Sequence, residues 1–201
     1  MLAGRGEEVR RIVDLLDRAD EAPGQIRLVQ IDGPIGIGKS SVLAAVLSES
    51  QRRAATSSPP IRVFLIHGDR LEGEAPLTPV RAMVEVLLGA PLEDLLGAAS
   101  PVVLALRCAE ALASAPYRGI IAVDDAQWID TATQDFLIAV IQAPAALALT
   151  VLLVHRIGQE PEAVLDAVWR RGGFHEHTTL EALPDSAIRG LTAGLRPLQA
   201  T

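Results

Sequence analysis

Hydrophobic and polar positions follow two different periods along the chain. Val9, Ile12, Val13 and Leu16 recur at helical spacing with charged residues between them, which predicts an amphipathic helix near the amino terminus. Short apolar runs follow this segment, and such runs are typical of strands buried on both faces of a parallel sheet. The predicted strands cover 27–32, 61–67, 119–124, 149–154 and 177–180.

Segments with helical periodicity separate these strands. Strands and helices that alternate in this way predict an α/β fold whose parallel sheet is covered by helices on both faces. Pro101 suits the first position of its helix, and Asp130 is placed to cap the helix that follows it. The predicted helices cover 40–50, 80–88, 91–96, 101–114, 131–142, 160–171 and 184–195.

Composition and charge narrow the classes of protein that fit this pattern. At 201 residues the chain is long enough for one domain, which we expect to span 1–201, and its 49% hydrophobic residues supply a sizeable core. The net charge of -7 argues against nucleic acid or an anionic membrane as the main partner. The sequence contains neither a signal-peptide pattern nor an apolar run of roughly 20 residues, so we expect a cytoplasmic protein that binds no membrane.

A glycine-rich loop carries the strongest chemical signal. Residues 33–40 match the pattern G-x-x-x-x-G-K-[ST] at every fixed position, between a predicted strand and a predicted helix. In such a phosphate loop, or P-loop, backbone N–H groups turn toward a phosphate and the helix N-terminus adds partial positive charge. The alternative is a turn from strand to helix that binds no ligand. The candidate binding residues are Gly33, Pro34, Ile35, Gly36, Ile37, Gly38, Lys39, Ser40 and Ser41.

Two residues of this loop have specific predicted roles. The chain contains 17 arginines and a single lysine, and that lysine is Lys39. A compact ammonium suits contact with the β- and γ-phosphates, whereas a guanidinium is a flat fork. The hydroxyl group of Ser40 is a predicted ligand of Mg²⁺. The sequence therefore predicts a nucleotide-binding protein.

Charged residues at the ends of two later strands are candidates for the chemistry. Asp124 and Asp125 follow an apolar run, and the carboxyl ends of parallel strands form the ligand-binding edge of a sheet. We expect Asp124 to hold Mg²⁺ and Asp125 to polarise the attacking water. Arg156 follows the strand at 149–154 and is a candidate sensor of the γ-phosphate. The alternative in each case is a charged group at a strand end that serves no ligand.

Other polar residues carry weaker signals. His175 and His177 flank a glutamate, but without further ligands the pair is better interpreted as a polar strand edge than as a metal site. Cys108 lies in a predicted helix without a histidine partner, which indicates a small buried residue. The roles of Trp128 and Asp130, close after the acidic pair, stay open.

Four segments occur together, in one order, along nearly the whole chain. They are Gly4-Arg-Gly-Glu-Glu-Val9, the loop at 33–40, Asp124-Asp-Ala-Gln-Trp-Ile-Asp130 and Leu152-Leu-Val-His-Arg156. Together they resemble the ATPase domain of signal-transduction ATPases, the STAND group of the AAA-like superfamily. Within that group they are most similar to the large ATP-binding transcriptional regulators of the LuxR type.

The resemblance implies a fold and the place of several residues. The fold is the three-layer P-loop NTPase sandwich with a mainly parallel five-stranded sheet. The strand that precedes Arg156 then lies between the phosphate-loop strand and the strand that ends at Asp124. The resemblance also implies that Gly4 and Arg5 lie near the adenine and that Arg5 and Glu8 order this entry. The implied cofactors are ATP and ADP, with Mg²⁺. The preference for adenine rests on the resemblance, because the motif alone does not separate ATP from GTP.

The resemblance further implies how the chain is used. In this group the nucleotide acts as a switch for a winged helix, helical repeats and a DNA-binding helix-turn-helix. We therefore expect residues 1–201 to be the ATPase domain of a larger regulator, with the other domains as partners. We expect this part to bind no DNA alone, and association into a homo-oligomer is left open.

Three functions compete on this basis. The favoured hypothesis is a STAND-type switch domain that binds ATP and hydrolyses it slowly, as a weak Mg-dependent ATPase. A small-molecule kinase would need an arginine-rich lid, and the segment at 71–79 is a poor one because it holds two glutamates and no arginine. A nucleotide-binding scaffold without turnover is the third hypothesis, and the acidic pair at 124 and 125 argues against it.

Overall fold

The computed structural model describes residues 4–17, 25–54, 59–69, 77–145, 149–185 and 187. The predicted helix at 184–195 lies almost wholly outside these residues. Most of the segment at 71–79, considered above as a lid, lies outside them too.

Five strands form one parallel sheet, as predicted. In chain order they are Arg27–Asp32 (β1), Ile61–His67 (β2), Arg118–Asp124 (β3), Leu149–Val154 (β4) and Phe174–Thr179 (β5). The spatial order is β2-β3-β4-β1-β5. Strand β4 therefore lies between the phosphate-loop strand β1 and strand β3, which confirms the topology implied by the resemblance.

Helices connect these strands and cover the sheet. Within the described ranges the α-helices are Gly6–Asp17 (α1), Lys39–Ala54 (α2), Arg81–Leu88 (α3), Leu92–Ala98 (α4), Pro101–Ala113 (α5), Thr131–Gln142 (α6) and Glu162–Arg170 (α7). A 3-10 turn, Thr78–Val80, precedes α3, so the prediction of one regular helix over 80–88 is corrected at its start.

Helix α2 extends beyond the predicted 40–50. Its last turn is polar in sequence, but Arg53 makes ion pairs with Asp14 and Asp17 of α1 at 2.9 and 2.6 Å. Ala54 at its end is also buried. Contacts with α1 therefore stabilise the last turn of α2, which hydrophobic periodicity alone does not predict.

The sheet separates two hydrophobic cores, which gives the three layers. Helices α1 and α2 pack on one face against residues such as Ile120 and Ala122 of β3. Helices α3 to α7 pack on the other face, where Ile121 and Val123 of the same strand point. Successive side chains of a strand point to opposite faces, so a strand that is apolar throughout contributes to both cores.

The expectation of strands that are apolar throughout is wrong at the two edges of the sheet. In β2, Arg62, Leu65 and His67 are exposed. Strand β5 is mostly polar and begins at Phe174 instead of 177. Its extra residues are held by side-chain contacts: His175 Nε2 lies 2.9 Å from Gln30 Oε1 of β1, and Glu176 makes an ion pair with Arg11 of α1. These polar contacts stabilise the strand where its sequence lacks apolar residues.

Helix α6 begins with the predicted cap. Asp130 Oδ1 accepts a hydrogen bond from the backbone N–H of Thr133 at 2.9 Å, and Asp130 Oδ2 accepts one from the Thr133 hydroxyl at 2.5 Å. One role of Asp130 is therefore structural. It fixes the start of the helix that follows the acidic pair.

Loss of this cap is expected to destabilise the protein. Asp130→Ala should lower the free energy of unfolding by about 0.5–2 kcal/mol, because an N-terminal amide of α6 loses its acceptor. Urea denaturation followed by circular dichroism measures the effect, with Asp130→Asn as a control that keeps a capping oxygen. Equal stability of the parent and Asp130→Ala would contradict the assignment.

No single helix in the described part of the chain is long and apolar enough to cross a membrane. The bent pair Leu92–Ala98 and Pro101–Ala113, with 116° between its helices, meets that test by length and composition only.

Candidate functional site

The topology of the sheet creates a crevice beside the phosphate loop. Strands β1 and β4 are neighbours, but α2, which follows β1, packs on one face and α7, which follows β4, packs on the other. Ligands of open α/β sheets bind where successive connections diverge in this way, at the carboxyl ends of the strands. Gly33, Asp124 and Arg156 lie at or just beyond the carboxyl ends of β1, β3 and β4.

The phosphate loop connects β1 to α2. Gly36 and Gly38 have φ angles of 76° and 97°, which residues other than glycine rarely adopt. The first N–H groups of an α-helix have no acceptor within that helix, so the amides of Lys39 and Ser40 are available at the start of α2. Ile35, at the tip of the loop, is 74% exposed. The loop thus presents backbone donors and a helix N-terminus at an open surface.

Lys39 braces this loop from inside. Its Nζ donates hydrogen bonds to the backbone carbonyl oxygens of Gly33 and Pro34, both at 2.9 Å. The residue is only 8% exposed. The ammonium is therefore held within the loop and not released to solvent.

Four charged groups converge on Lys39. Burial lowers the pKa of its ammonium below the ordinary value, and the neighbouring Asp125 carboxylate is the strongest opposing influence. The positive charge of Arg156 lowers the same pKa further, whereas Asp124 and Asp32 raise it. The residues predicted separately from three segments are thus brought into one electrostatic site.

The two acidic residues differ in their surroundings. Asp124 is buried at the end of β3, and its Oδ1 accepts a hydrogen bond from the Asp125 backbone N–H at 3.0 Å. Asp125 adopts a left-handed backbone conformation with φ 49° and ψ 46°. Gly68 lies directly against this turn, since a Cβ at that position would come within 2.2 Å of the Asp125 carbonyl oxygen. The sequence analysis did not identify Gly68, which follows the end of β2.

Gln127 and Trp128, which the sequence analysis assigned no role, connect Asp125 to Arg156. Gln127 Nε2 donates to Asp125 Oδ1 at 2.7 Å, and Gln127 Oε1 accepts from the Arg156 backbone N–H at 3.2 Å. The Arg156 guanidinium lies 5.5 Å from the centre of the Trp128 ring, a cation–π contact. The only sequence signal for these residues is their position inside the Asp124-to-Asp130 segment.

A buried polar chain approaches Arg156 from the other side. His155 is fully buried, and its Nδ1 lies 2.9 Å from the Arg156 carbonyl oxygen. Its Nε2 lies 2.6 Å from the Gln30 side-chain amide, which in turn contacts His175. The backbone N–H of Arg156 is thus bound by Gln127, and its carbonyl oxygen by the neighbouring His155. Within the described residues, no group of three or more His, Cys, Asp or Glu side chains could hold a metal ion.

Arg5 joins the amino-terminal segment to the phosphate loop. Its guanidinium donates to the carbonyl oxygens of Ile37 at 3.2 Å and Glu181 at 2.6 Å, and it makes an ion pair with Glu8 at 3.0 Å. Gly4 packs beside the side chain of Leu183. Arg5 thus positions the loop, with Glu8 holding the guanidinium.

Two serines begin helix α2. Ser40 and Ser41 are both exposed, so their hydroxyl groups face outward at the carboxyl edge of the sheet. Ser41 lines an open groove between α1 and α2, together with Gly6, Val9 and Ala45. The loop and the acidic pair lie at one end of the sheet, while this groove leads away from it between the helices.

The oxygen donors at the site suit Mg²⁺ that is shared with a nucleotide. Mg²⁺ prefers hard oxygen ligands and is usually bound through one or two carboxylates together with substrate phosphates. Asp124 offers a carboxylate, and Ser40 offers an exposed hydroxyl at the start of α2. The donor set therefore fits a nucleotide–Mg²⁺ complex better than a metal held by protein ligands alone.

Comparison with known proteins agrees with this geometry. A family model described as "AAA ATPase domain" matches residues 1–154, well over half of the sequence. No curated protein matches the sequence.

Several solved structures share the fold. The ORC1 protein of Aeropyrum pernix, solved in complex with DNA, has a TM-score of 0.68 at 18% identity, covering 96% of this chain and 49% of that one. The ADP form of the Aeropyrum pernix ORC2 protein has a TM-score of 0.67 at 16% identity, covering 96% and 52%. Cdc6p from Pyrobaculum aerophilum has a TM-score of 0.66 at 14% identity, covering 96% and 49%. The TM-scores show a shared fold, and at these identities the similarity extends to the fold alone; the chain spans about half the length of these proteins.

Proposed function

The chain belongs to the AAA ATPase domain family, and on that premise we propose that it binds ATP with Mg²⁺ at the phosphate loop and hydrolyses it slowly, as a switch. The observation that carries the proposal is that the phosphate loop with Lys39, the acidic pair and Arg156 lie together at the carboxyl ends of the strands β1, β3 and β4, beside the start of α2. A phosphate chain at this place would meet the loop amides, the ammonium and the guanidinium together.

The proposed roles follow from the position of each group. Residues 33–41 surround the phosphates, and Lys39 contacts the β- and γ-phosphates when it leaves the loop carbonyls that it binds here. Asp124 and Ser40 hold Mg²⁺, which when bound neutralises charge on the phosphate oxygens. Asp125 polarises the attacking water, and Arg156 stabilises the γ-phosphate. Gly4 and Arg5 border the adenine, a role that the family resemblance implies and that the contact of Arg5 with the Ile37 carbonyl oxygen of the loop supports.

Slow turnover is expected because the site is open. The tip of the loop and the Ser40 hydroxyl are exposed to water, so electrostatic stabilisation of the transition state is incomplete. We expect a rate constant well below the median for enzymes, which is about 10 per second.

We further propose that the switch belongs to a STAND-type regulator of the LuxR kind. The support is the resemblance of the Asp124-to-Asp130 and Leu152-to-Arg156 segments to those of such regulators. On this proposal residues 1–201 form the ATPase domain, and the nucleotide state is communicated to the other domains of the regulator.

Phosphate release separates the three candidate functions. The switch proposal predicts slow Mg-dependent release of inorganic phosphate that small-molecule acceptors leave unchanged. A kinase would transfer the phosphate, so its turnover would rise with an acceptor such as a nucleoside or sugar. A scaffold would bind ATP and release no phosphate. The latter two outcomes each contradict the switch proposal.

We expect this chain to bind no duplex DNA alone. Its net charge is -7, and described arginines such as Arg53 and Arg81 already make ion pairs with carboxylates of the chain. Binding to DNA requires several basic groups aligned on phosphates. Fluorescence anisotropy near physiological salt should show no saturable binding to a labelled promoter fragment, and tight, sequence-dependent binding would contradict the proposal.

A further inference from the structure

We propose that Gln127 is a positioning residue that holds the Asp125 carboxylate and the Arg156 backbone in one fixed unit. The inference rests on the proposed function, because it concerns the two groups placed beside the γ-phosphate. Gln127 itself is half-buried and contacts both groups through a single side-chain amide.

The chemistry of the two partners sets the orientation of this amide. The Arg156 backbone N–H can only donate, so it faces the carbonyl oxygen Oε1 of Gln127. An ionised carboxylate can only accept, so Asp125 Oδ1 faces Nε2. A glutamine satisfies both requirements at once. Glutamate could accept from Arg156 but could not donate to Asp125.

Asp125 gains a defined side-chain direction from this contact. Its backbone is fixed in the left-handed region, and its carbonyl oxygen accepts from the Trp128 N–H at 2.8 Å. Those backbone contacts leave the rotation of the carboxylate unspecified. The charge-assisted bond from Gln127 fixes Oδ1, and on the proposed function the second oxygen is the one that polarises water.

Arg156 is held by the same amide. Its N–H is bound by Gln127, its carbonyl oxygen is bound by His155, and its guanidinium lies over the Trp128 ring. A shift of the Arg156 backbone when its guanidinium contacts the γ-phosphate would therefore act on Gln127 and, through it, on Asp125. Gln127 thereby couples contact with the γ-phosphate to the orientation of the group that polarises water.

Replacement of Gln127 tests this role by separating hydrolysis from binding. In Gln127→Glu and Gln127→Ala we expect kcat to fall about tenfold or more, because Asp125 loses a charge-assisted bond. The KM for ATP and the affinity for a fluorescent ATP analogue should stay within about threefold of the parent, since Lys39 and the loop are untouched. Gln142→Glu, an equal charge change at an exposed position at the end of α6, is the matched control.

A second measurement needs no turnover. The chain has two tryptophans, so a Trp169→Phe background isolates the fluorescence of Trp128. We expect Gln127→Ala to shift this emission, because the Arg156 backbone loses its bond to Gln127 and the guanidinium over the ring is then held less firmly, and Gln142→Glu to leave it unchanged. Parent-like kcat and parent-like Trp128 emission in both Gln127 variants would overturn the inference. If the parent protein releases no phosphate but its Trp128 emission still depends on Gln127, the proposed ATPase activity is refuted and the positioning role of Gln127 is retained.

Discussion

Lys39→Ala is expected to weaken ATP binding by about tenfold to a hundredfold, the value of one charge-assisted contact with a phosphate. The effect is large because Lys39 is the one ammonium side chain in the sequence and lies at the point where Asp125, Arg156 and Asp124 meet. Titration with a fluorescent ATP analogue in Mg²⁺ measures the change. Arg52→Ala, which removes an exposed cation near the other end of α2, is the matched control.

Folding of the variant is checked separately. Lys39 donates hydrogen bonds to the carbonyl oxygens of Gly33 and Pro34, so its removal also changes the loop. Lys39→Met keeps most of the side-chain volume and loses the charge, and it should lose affinity to the same degree. An unchanged affinity in folded Lys39→Ala and Lys39→Met would show that the phosphate loop has been assigned wrongly.

Asp125→Asn is expected to slow hydrolysis by about a hundredfold or more while Mg·ATP still binds. An amide oxygen can still accept from Gln127, but it cannot polarise water as a carboxylate does. Steady-state phosphate release and ATP titration, made on the same protein, measure the two effects.

Asp124→Asn is the companion variant, and it should act on binding instead. Asp124 is the buried carboxylate proposed to hold Mg²⁺, so its loss should reduce the difference between ATP affinities measured with Mg²⁺ and with EDTA. The two variants should therefore fail in different ways. If both release phosphate at the parent rate, the roles of the two carboxylates are wrong.

Much of the fold could be predicted because its signals are local. The bounds of β1, β2 and β4 agree with the apolar runs at 27–32, 61–67 and 149–154, and the phosphate loop is a contiguous motif with a strand before it and a helix after it. Hydrophobic alternation did not predict the order of the strands. That order came from the resemblance of the motifs to a family.

The predicted bounds of β5 and α2 are wrong because contacts between distant elements, and not a local hydrophobic pattern, determine where these two elements begin or end. Strand β5 begins before the predicted residue 177 because His175 contacts β1 and Glu176 makes an ion pair with α1. Helix α2 extends beyond the predicted residue 50 because Arg53 makes ion pairs with α1. Neither partner is visible from a window of the sequence. Side-chain pairing across elements compensates for a weak hydrophobic pattern.

For the candidate site, the sequence predicted the residues of the motifs but not the residues that support them. Gln127 lies 29 residues from Arg156, and Gln30 lies 125 residues from His155, so no spacing rule brings either pair together. Gly68 is required by the close approach of the Asp125 carbonyl oxygen, in the turn that follows β3. Such supporting contacts depend on the assembled sheet and appear only with the structure.

Titration of the parent chain with ATP, ADP and AMP in the presence of Mg²⁺ tests the central claim most directly, because the claim places the β- and γ-phosphates on Lys39 and the loop. Isothermal titration calorimetry should give one site per chain that binds ATP and ADP and does not measurably bind AMP, which lacks a β-phosphate. Binding of AMP as tight as that of ATP, or no binding of any of the three, would contradict the account.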